Sequence, residues 1–278
     1  MPELPEVEVS RLGLLPELAG RTITGATTRT PKLRYPLPTQ LAKRLTGGRL
    51  AGIRRRAKYL LFDIDRLPED QTATLILHLG MSGSLRIVPI GTPPQPHDHV
   101  DIEFDDKVLR LRDPRRFGAL LWHDPARPIE EHPLIAVLGV EPLEESFDGE
   151  WLHDRLRKRS GPIKPVLMDS HMVVGIGNIY AAESLFLSGI SPLRSAQKIS
   201  AARCDRLADA VKQTLSAAVA AGGSSVRDYV HSDGGAGCFQ LQCAVYERES
   251  EPCVSCGKPI RKIRQAGRST FYCPNCQK

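Results

Sequence analysis

The stretch PCVSCGKPIRKIRQAGRSTFYCPNC, residues 252–276, contains two Cys-x2-Cys pairs separated by sixteen residues. A two-residue gap lets both sulfurs of a tight turn reach one tetrahedral ion, and sixteen residues suit a β-hairpin that returns the second pair to the first. Two disulfides are the alternative, but disulfides are rare in cytosolic proteins. The stretch therefore predicts a zinc ribbon with one structural Zn²⁺ bound by Cys253, Cys256, Cys273 and Cys276.

The same C-terminal segment is strongly basic. Residues 252–278 contain six Lys and Arg and no Asp or Glu, which equals the net charge of +6 of the whole chain. Other mainly basic clusters lie at residues 54–58, 115–116 and 155–159. Because a solvated surface ordinarily mixes both signs, these clusters favour a polyanionic partner and contacts with phosphates. Arg268 is predicted at the tip or edge of the hairpin, where it would meet nucleic acid.

Length and composition exclude several classes of protein. A chain of 278 residues fits two domains of ordinary size or one large domain. Apolar residues make up 41% and charged residues 25%, which excludes intrinsic disorder as the main state. No stretch approaches the roughly 18 apolar residues that span a bilayer. The acidic, proline-broken start of the chain is not typical of a signal peptide, so the expected compartment is the cytosol.

The residue patterns divide the chain into a β-rich part and a helical part. Val100, Ile102 and Phe104 alternate with acidic residues, which predicts a half-buried strand, and residues 59–64 and 74–79 are further strand candidates. Helical patches are predicted near residues 5–15 and 38–46. From about residue 148 helical periodicity takes over, with Asp148 as the candidate N-cap. An apolar four-residue repeat from residue 207 then ends at two glycines. The glycine-rich segment 232–237 is predicted to move.

Six motifs occur in one order along the chain: PELPEVE at residues 2–8, RRAKYL at 55–60, HLGMSG at 78–83, DPRRFG at 113–118, GIGNIY at 175–180, and the four-cysteine ribbon. Together they resemble the bacterial formamidopyrimidine-DNA glycosylases, the 8-oxoguanine repair enzymes. The resemblance implies an α+β multidomain fold. Its parts would be an N-terminal β-sandwich with flanking helices (1–135), a helix-two-turn-helix domain (136–240) and the zinc ribbon (244–278).

The resemblance also implies an activity. The expected protein is a base-excision repair enzyme, both glycosylase and abasic-site lyase, that binds damaged double-stranded DNA between its domains and flips out oxidised purines. It is expected to act as a monomer in the bacterial cytosol and nucleoid, without a small-molecule cofactor or a membrane partner.

Four residues carry the expected chemistry. After removal of Met1, Pro2 would offer a secondary amine, and α-amines titrate well below lysine. Attack of that amine on C1′ gives a cationic iminium, which acidifies C2′ and allows strand cleavage. Glu3 is the candidate general acid and base, and Glu6, about one helical turn away, is a candidate helper. Lys58 is implied to be catalytic by the resemblance.

Base flipping leaves a hole in the duplex that side chains must fill. The resemblance assigns Met81 and Phe117 to that hole and Arg115 to the orphaned cytosine. Residue type alone would favour the core for Met81 and Phe117, but Asp113-Pro114 and Gly118 favour a loop tip instead. The resemblance further implies DNA contacts, mainly to phosphates, at His97, Arg159, Lys164, Asn178 and Arg268. Of these, Arg268 is also expected to assist the second elimination.

The sequence departs from the family pattern at three positions. Arg159 stands where a lysine is expected, and Val166 and Cys238 stand where aromatic residues are expected. Two other functions stay open. One is an endonuclease VIII-like enzyme for oxidised pyrimidines, which Leu4 and the intact DPRRFG motif disfavour. The other is a zinc-ribbon DNA-binding protein without catalysis, which would not need a free Pro2.

Overall fold

The computed structural model describes residues 2–67, 71–124, 126–223 and 243–278, and these form two compact units. The first comprises residues 2–136 with 222–223, and the second residues 137–221 with 243–278. The predicted fold class is confirmed, because the first unit holds a β-sandwich and the second holds helices and a four-cysteine hairpin. The finer division into three domains stays a prediction. Cys238 and the predicted loop 232–237 lie outside the described residues.

Eight strands of the first unit form two four-stranded antiparallel sheets. They are β1 (Gly25–Thr28), β2 (Arg49–Arg56), β3 (Tyr59–Leu67), β4 (Gln71–His78), β5 (Ser84–Pro89), β6 (Asp98–Glu103), β7 (Lys107–Arg112) and β8 (Ala119–His123). One sheet has the order β2-β3-β4-β8 and the other the order β1-β6-β7-β5. The strands expected at 59–64 and 74–79 are therefore confirmed as β3 and β4.

The core of this unit lies between the two sheets. Phe62 and Leu77 from the first sheet line one small apolar space with Val100 and Leu109 from the second. The prediction that β6 is half-buried is wrong, because Asp101 is only 3% exposed. Its carboxylate accepts hydrogen bonds from the guanidinium of Arg110 at 2.8 and 2.9 Å and from Arg29. Paired arginines thus allow the polar side of this strand to be buried.

Two crossovers lie side by side at one end of the sandwich. Residues 79–83 lead from β4 in one sheet to β5 in the other, and residues 113–118 lead back from β7 to β8. The register places His78 opposite Ala119 and Ser84 opposite Arg112, so the crossovers begin and end as neighbours.

Helix α1 (Leu4–Leu18) begins the first unit, which also contains α2 (Leu41–Leu45) and α3 (Pro133–Ala136). Both predicted N-terminal helical patches are thereby confirmed. Pro5 lies in the first turn of α1, where its missing N–H is not required.

The second unit contains α4 (Gly149–Leu156), α5 (Ile163–Leu167), α6 (Asn178–Leu187) and α7 (Ala201–Ala220). Asp148 caps α4 as predicted, since its Oδ1 accepts a hydrogen bond from the Trp151 N–H at 2.7 Å. Helix α7 ends just before Gly222, which has φ of +76°. None of the described helices is long and apolar enough to cross a membrane.

The hairpin consists of β9 (Arg261–Gln265) and β10 (Arg268–Tyr272). Ala266 and Gly267, with φ of +45° and +76°, form the two-residue turn, and positive φ at both positions is typical of a type I′ hairpin. Arg268 is therefore the first residue after the turn and is exposed, as predicted. The side chain of Gln277 ties the ribbon to the helices by donating to the Ile190 carbonyl at 2.9 Å.

Candidate active site and nucleic-acid interface

The N-terminal residues form a buried carboxylate pair at the start of α1. Glu3 is the N-cap, and its backbone N–H donates to Glu6 Oε2 at 2.7 Å, while the Glu3 side chain accepts from the backbone of Glu6. This reciprocal capping box fixes both side chains. Glu3 is 3% exposed, Glu6 is fully buried, and Pro2 is buried beside them. A carboxyl group is thus held immediately next to the residue expected to be the nucleophile.

Lys58 occupies the tight turn between β2 and β3 and is half-buried. The preceding residue, Ala57, has φ of +54°, and its carbonyl accepts a hydrogen bond from Arg55 at 3.0 Å. Arg55 also donates to Glu8 of α1 at 2.9 Å. This arginine therefore connects the N-terminal half of α1 to the Lys58 turn.

His78 belongs to this region, although the sequence did not single it out. Burial, and after it the positive charges of Lys58 and Arg34, lowers the pKa of His78 to about 4. Its Nδ1 accepts the Gly80 N–H at 2.9 Å, which places the ring proton on Nε2. The ring also lies 4.8 Å from that of Tyr59. At neutral pH the ring is therefore neutral. Its Nδ1 already accepts a hydrogen bond, so Nε2–H is the group that can donate one.

The two crossovers carry the residues expected to fill a hole in DNA. Met81 is 37% and Phe117 46% exposed, so the prediction of a loop tip instead of a core position is confirmed. The guanidinium of Arg115, also exposed, lies 4.8 Å from the centre of the Phe117 ring. Exposed apolar side chains beside an arginine are suited to insertion between bases.

His97 is exposed at the end of the loop before β6, with φ of +75°. The next residue, Asp98, is buried and accepts the Gln95 N–H at 2.7 Å, which closes the loop. Asp98 also lies 3.7 Å from the guanidinium of Arg110. The histidine is thus presented by a loop that a buried ion pair holds in place.

In the second unit, Asn178 and Arg268 line one surface cavity of about 570 Å³. Tyr246 lines the same cavity, and the sequence had not indicated it. Its backbone is fixed by Glu183 of α6, whose buried carboxylate accepts three N–H groups from residues 244–246 at 2.7 to 3.0 Å. Burial raises the pKa of Glu183 against the lowering effect of these hydrogen bonds.

Lys164 does not lie where the sequence placed it. The predicted direct phosphate contact is corrected, because the side chain is 1% exposed and its Nζ donates to protein acceptors. These are Asn178 Oδ1 at 2.5 Å, Thr270 Oγ1 at 2.7 Å and the Ser269 carbonyl at 3.2 Å. Since an ammonium only donates, the oxygen of Asn178 must face Lys164 and its NH₂ must point elsewhere. Lys164 therefore orients Asn178 and anchors β10.

The basic clusters are partly neutralised within the protein. Arg54 donates to Asp63 at 2.6 Å, and Arg55 is paired with Glu8 at 2.9 Å. Arg159 lies 3.4 Å from Asp169 but keeps a 47% exposed side chain. The interpretation of Arg55 as a phosphate contact is contradicted, because its side chain is only 12% exposed, whereas Arg54 and Arg159 keep about half of their side chains exposed and stay predicted phosphate contacts.

The four ribbon cysteines form a single cluster, with one Sγ from each lying within 4.8 Å of the others. Cys253 and Cys273 are buried, and Cys256 and Cys276 lie nearer the surface. Thiolates at this mutual distance fit one tetrahedral Zn²⁺ and leave no open coordination position.

Three family models match the chain. They are the formamidopyrimidine-DNA glycosylase N-terminal domain at residues 1–120, the formamidopyrimidine-DNA glycosylase H2TH domain at 138–230, and the zinc finger found in FPG and IleRS at 250–278. A formamidopyrimidine-DNA glycosylase from Dechloromonas aromatica is 59% identical over 278 residues, which is 100% of both chains.

The chain belongs to the formamidopyrimidine-DNA glycosylase family.

Solved structures of this family agree with the fold. The Lactococcus lactis Fpg in complex with DNA that contains an abasic site is 36% identical, with a TM-score of 0.90 and 99% of each chain covered. The wild-type L. lactis Fpg in complex with DNA that contains N7-benzyl-Fapy-dG is also 36% identical, with a TM-score of 0.90 and 100% of each chain covered. The predicted family and enzyme class, a DNA glycosylase, are confirmed, as is a site for one structural zinc ion.

Proposed function

We propose that the chain excises oxidised purines, 8-oxoguanine and formamidopyrimidines, from duplex DNA and then cuts the strand at the abasic site. The observation that carries the proposal is the buried Glu3 at the N-cap of α1, directly after Pro2. Family membership and the relatives solved with abasic-site DNA and with N7-benzyl-Fapy-dG-containing DNA support the substrate class. The enzyme would act as a monomer on DNA in the bacterial cytosol.

In the first step the nitrogen of Pro2 replaces the damaged base on C1′ of the sugar. After Met1 is removed, the nitrogen of Pro2 attacks C1′ while the bond from C1′ to the base breaks. Glu3 donates a proton to the sugar ring oxygen or to the leaving base, as a general acid. Ring opening leaves an iminium that joins Pro2 to C1′, and this cation is the electron sink for strand cleavage.

The second step cleaves the strand on both sides of the sugar. Loss of a proton from C2′ expels the 3′ phosphate, and loss of a proton from C4′ then expels the 5′ phosphate. Water hydrolyses the remaining imine and frees Pro2. Lys58 is assigned to the lesion or its phosphate and Arg268 to the second elimination, while Glu6 supports Glu3 through the hydrogen bond to its backbone N–H.

DNA recognition is divided among surface side chains of the two units. Met81 and Phe117 fill the hole left by the everted nucleotide, and Arg115 faces the orphaned cytosine, whose O2 and N3 are acceptors that suit a guanidinium. Phosphates are bound by His97, Arg159, Asn178 and Arg268. Lys164 contributes indirectly, by orienting Asn178.

Borohydride trapping tests the nucleophile. With a duplex that carries 8-oxoguanine opposite cytosine, reduction of the iminium should give a stable covalent adduct, and peptide mapping should locate it on Pro2. A form that retains Met1 should give no adduct, because the nitrogen of Pro2 is then an amide. An adduct on Lys58 with unmodified Pro2 would overturn the assignment. Trapping only on oxidised pyrimidines would favour the endonuclease VIII-like alternative, and binding without any adduct would favour the non-catalytic one.

Lys164→Met tests the corrected role of the buried lysine. Methionine keeps most of the stem but leaves Asn178 Oδ1 and Thr270 Oγ1 without their charged donor, which should weaken DNA binding roughly tenfold. Because the buried ammonium displaces no counterion, the slope of log Kd against log salt should stay unchanged. A direct phosphate contact would reduce that slope by about one.

The control for this experiment is Lys198→Met, which removes an exposed lysine of the same unit. Lys164→Met and Asn178→Ala should also be non-additive, since both disrupt the same hydrogen bond. Additive losses with a reduced salt slope would return Lys164 to the phosphate-binding residues.

A further inference from the structure

We propose that Asp113 is a positioning residue. Together with Ser82 it forms a clasp that holds the two crossovers, residues 79–83 and 113–118, against each other, and it thereby determines how strongly the enzyme discriminates between bases opposite the lesion. The inference rests on the proposed function, because it concerns the spacing of Met81, Arg115 and Phe117. Asp113 is fully buried.

Each carboxylate oxygen of Asp113 holds a different crossover. Oδ1 accepts from the hydroxyl of Ser82 at 2.8 Å, next to Met81, and Oδ2 accepts from the Gly118 N–H at 2.8 Å, next to Phe117. The Ser82 hydroxyl oxygen in turn accepts the Arg115 N–H at 3.2 Å. Arg115 is therefore itself part of this network, and Met81 and Phe117 each lie one residue from a member of it.

The backbone of Asp113 extends the network to a further predicted DNA contact. Its N–H donates to the carbonyl of His97 at 3.0 Å, and its own carbonyl accepts the Arg116 N–H at 3.2 Å. The same carbonyl oxygen lies 3.0 Å from Nε2 of His99. Asp113 is thus the residue at which the His97 loop and both crossovers meet.

The crossovers also touch backbone to backbone. A Cβ added at Gly80, which has φ of +65°, would lie 2.4 Å from the carbonyl carbon of Phe117. A Cβ added at Gly118 would lie 2.8 Å from the His78 carbonyl oxygen and 3.0 Å from Asp113 Oδ2. At such close approach, a shift of one crossover must move the other, so the clasp fixes the distance between Met81 and Phe117.

A buried carboxylate holds the two crossovers more strongly than an asparagine would. Burying an ionised carboxylate is costly unless its oxygens accept hydrogen bonds, and among the described salt bridges none involves Asp113. Here the two oxygens bind two donors on opposite crossovers. An asparagine offers only one acceptor oxygen, so its NH₂ must face one of these donors. If its oxygen keeps the Gly118 N–H, the Ser82 hydroxyl must turn to accept from the NH₂, and a neutral hydrogen bond replaces the stronger charge-assisted one between the crossovers while the volume stays the same.

The test compares Asp113→Asn, Ser82→Ala and Arg115→Ala with the wild type. Three measurements are made: kcat/KM on 8-oxoguanine opposite cytosine and opposite adenine, cleavage of a preformed abasic site, and the fluorescence of 2-aminopurine beside the lesion. The cytosine-to-adenine ratio is kcat/KM opposite cytosine divided by kcat/KM opposite adenine. Asp113→Asn and Ser82→Ala should lower this ratio toward that of Arg115→Ala, by roughly tenfold for Asp113→Asn. Both should slow the fluorescence rise, while cleavage at the abasic site stays within about twofold of the wild type.

Val108→Ala is the stability control, since it truncates a buried side chain of β7 in the same sandwich without touching the network. It should lower Tm and leave the cytosine-to-adenine ratio unchanged. If Asp113→Asn does not fold, Ser82→Ala alone tests the clasp, because it retains the bond from Gly118 to Asp113.

The outcomes separate the clasp from the function it rests on. An equal loss on all substrates in Asp113→Asn and Ser82→Ala, with an unchanged ratio and an unchanged fluorescence rise, would overturn the clasp. If Arg115→Ala itself leaves the ratio unchanged, the assignment of Arg115 to the opposite base fails. The fluorescence rise in Asp113→Asn then still decides whether the clasp sets the insertion of Met81 and Phe117.

Discussion

Glu3→Gln should lower kcat/KM on 8-oxoguanine opposite cytosine by about 100-fold or more, because a positioned general acid or base typically contributes 10²–10⁴-fold. The structure makes this substitution a clean one. Glutamine retains an oxygen that can accept the Glu6 backbone N–H, so the capping box and the start of α1 should persist. The loss can then be assigned to proton transfer and not to a displaced helix.

Single-turnover kinetics with Glu3→Gln and Glu6→Gln provide the comparison. Glu6 accepts the Glu3 N–H, and a glutamine at position 6 can still accept it through its amide oxygen. Glu6→Gln should therefore cost less than about tenfold, and circular dichroism should show both variants folded. Near-wild-type rates in Glu3→Gln would remove Glu3 from the chemistry. An equal loss in both variants would mean that the pair acts as one unit, without a single proton donor.

Local sequence signals predicted the elements that local interactions form. Asp148 caps α4 because its side chain reaches an N–H only three residues away. The hairpin between the cysteine pairs was predicted as a hairpin with Arg268 at its tip or edge, and the two-residue turn at Ala266-Gly267 places Arg268 at the head of β10. Such features depend on a few adjacent residues, so their patterns are visible in the chain itself.

Contacts between residues far apart in the sequence could not be predicted in this way. Lys164 lies 106 positions before Thr270, and nothing near it in the sequence indicates that its ammonium is buried against β10. The alternating pattern likewise placed Asp101 on a solvent face, but Arg110 and Arg29 cover it in the fold. In both places burial of a charge is decided by a partner brought in by the fold, and sequence periodicity carries no information about that partner.

Two residues of the site, His78 and Tyr246, were not predicted from the sequence for a related reason. His78 acquires its low pKa from burial and from the positive charges of Lys58 and Arg34. The pairing of β3 with β4 places Tyr59, next to Lys58, opposite His78, and Arg34 comes from the separate segment after β1. Tyr246 shares a cavity with Asn178 and Arg268 because Glu183 holds the backbone of residues 244–246. The HLGMSG motif that contains His78 could have indicated it, whereas no pattern in the sequence indicated Tyr246.

Cys256→Ser should abolish binding of the single zinc ion and lower DNA affinity by more than about tenfold. Structural zinc sites contribute about 10–16 kcal/mol to the folding of small ribbons, so three remaining thiolates should not hold the hairpin. Arg268 and the Lys164 anchor on Thr270 both depend on β10, and each would lose its position. The β-sandwich is a separate compact unit and should keep its fold. Zinc content per chain, Kd for lesion-containing duplex and thermal unfolding provide the three readouts.

Cys204→Ser is the matched control, since it makes the same substitution at a buried thiol of α7 outside the zinc cluster. Among the described residues Cys204 belongs to no cluster of possible metal ligands, so it is no candidate zinc ligand. Zinc content should therefore stay at one per chain in Cys204→Ser and fall only in the ribbon variant. If Cys256→Ser loses its zinc but binds lesion DNA as tightly as the wild type, Arg268 cannot owe its position to the metal. The hairpin would then be held in place by hydrogen bonds, such as those of Lys164 with Thr270 and of Gln277 with Ile190, and not by the metal.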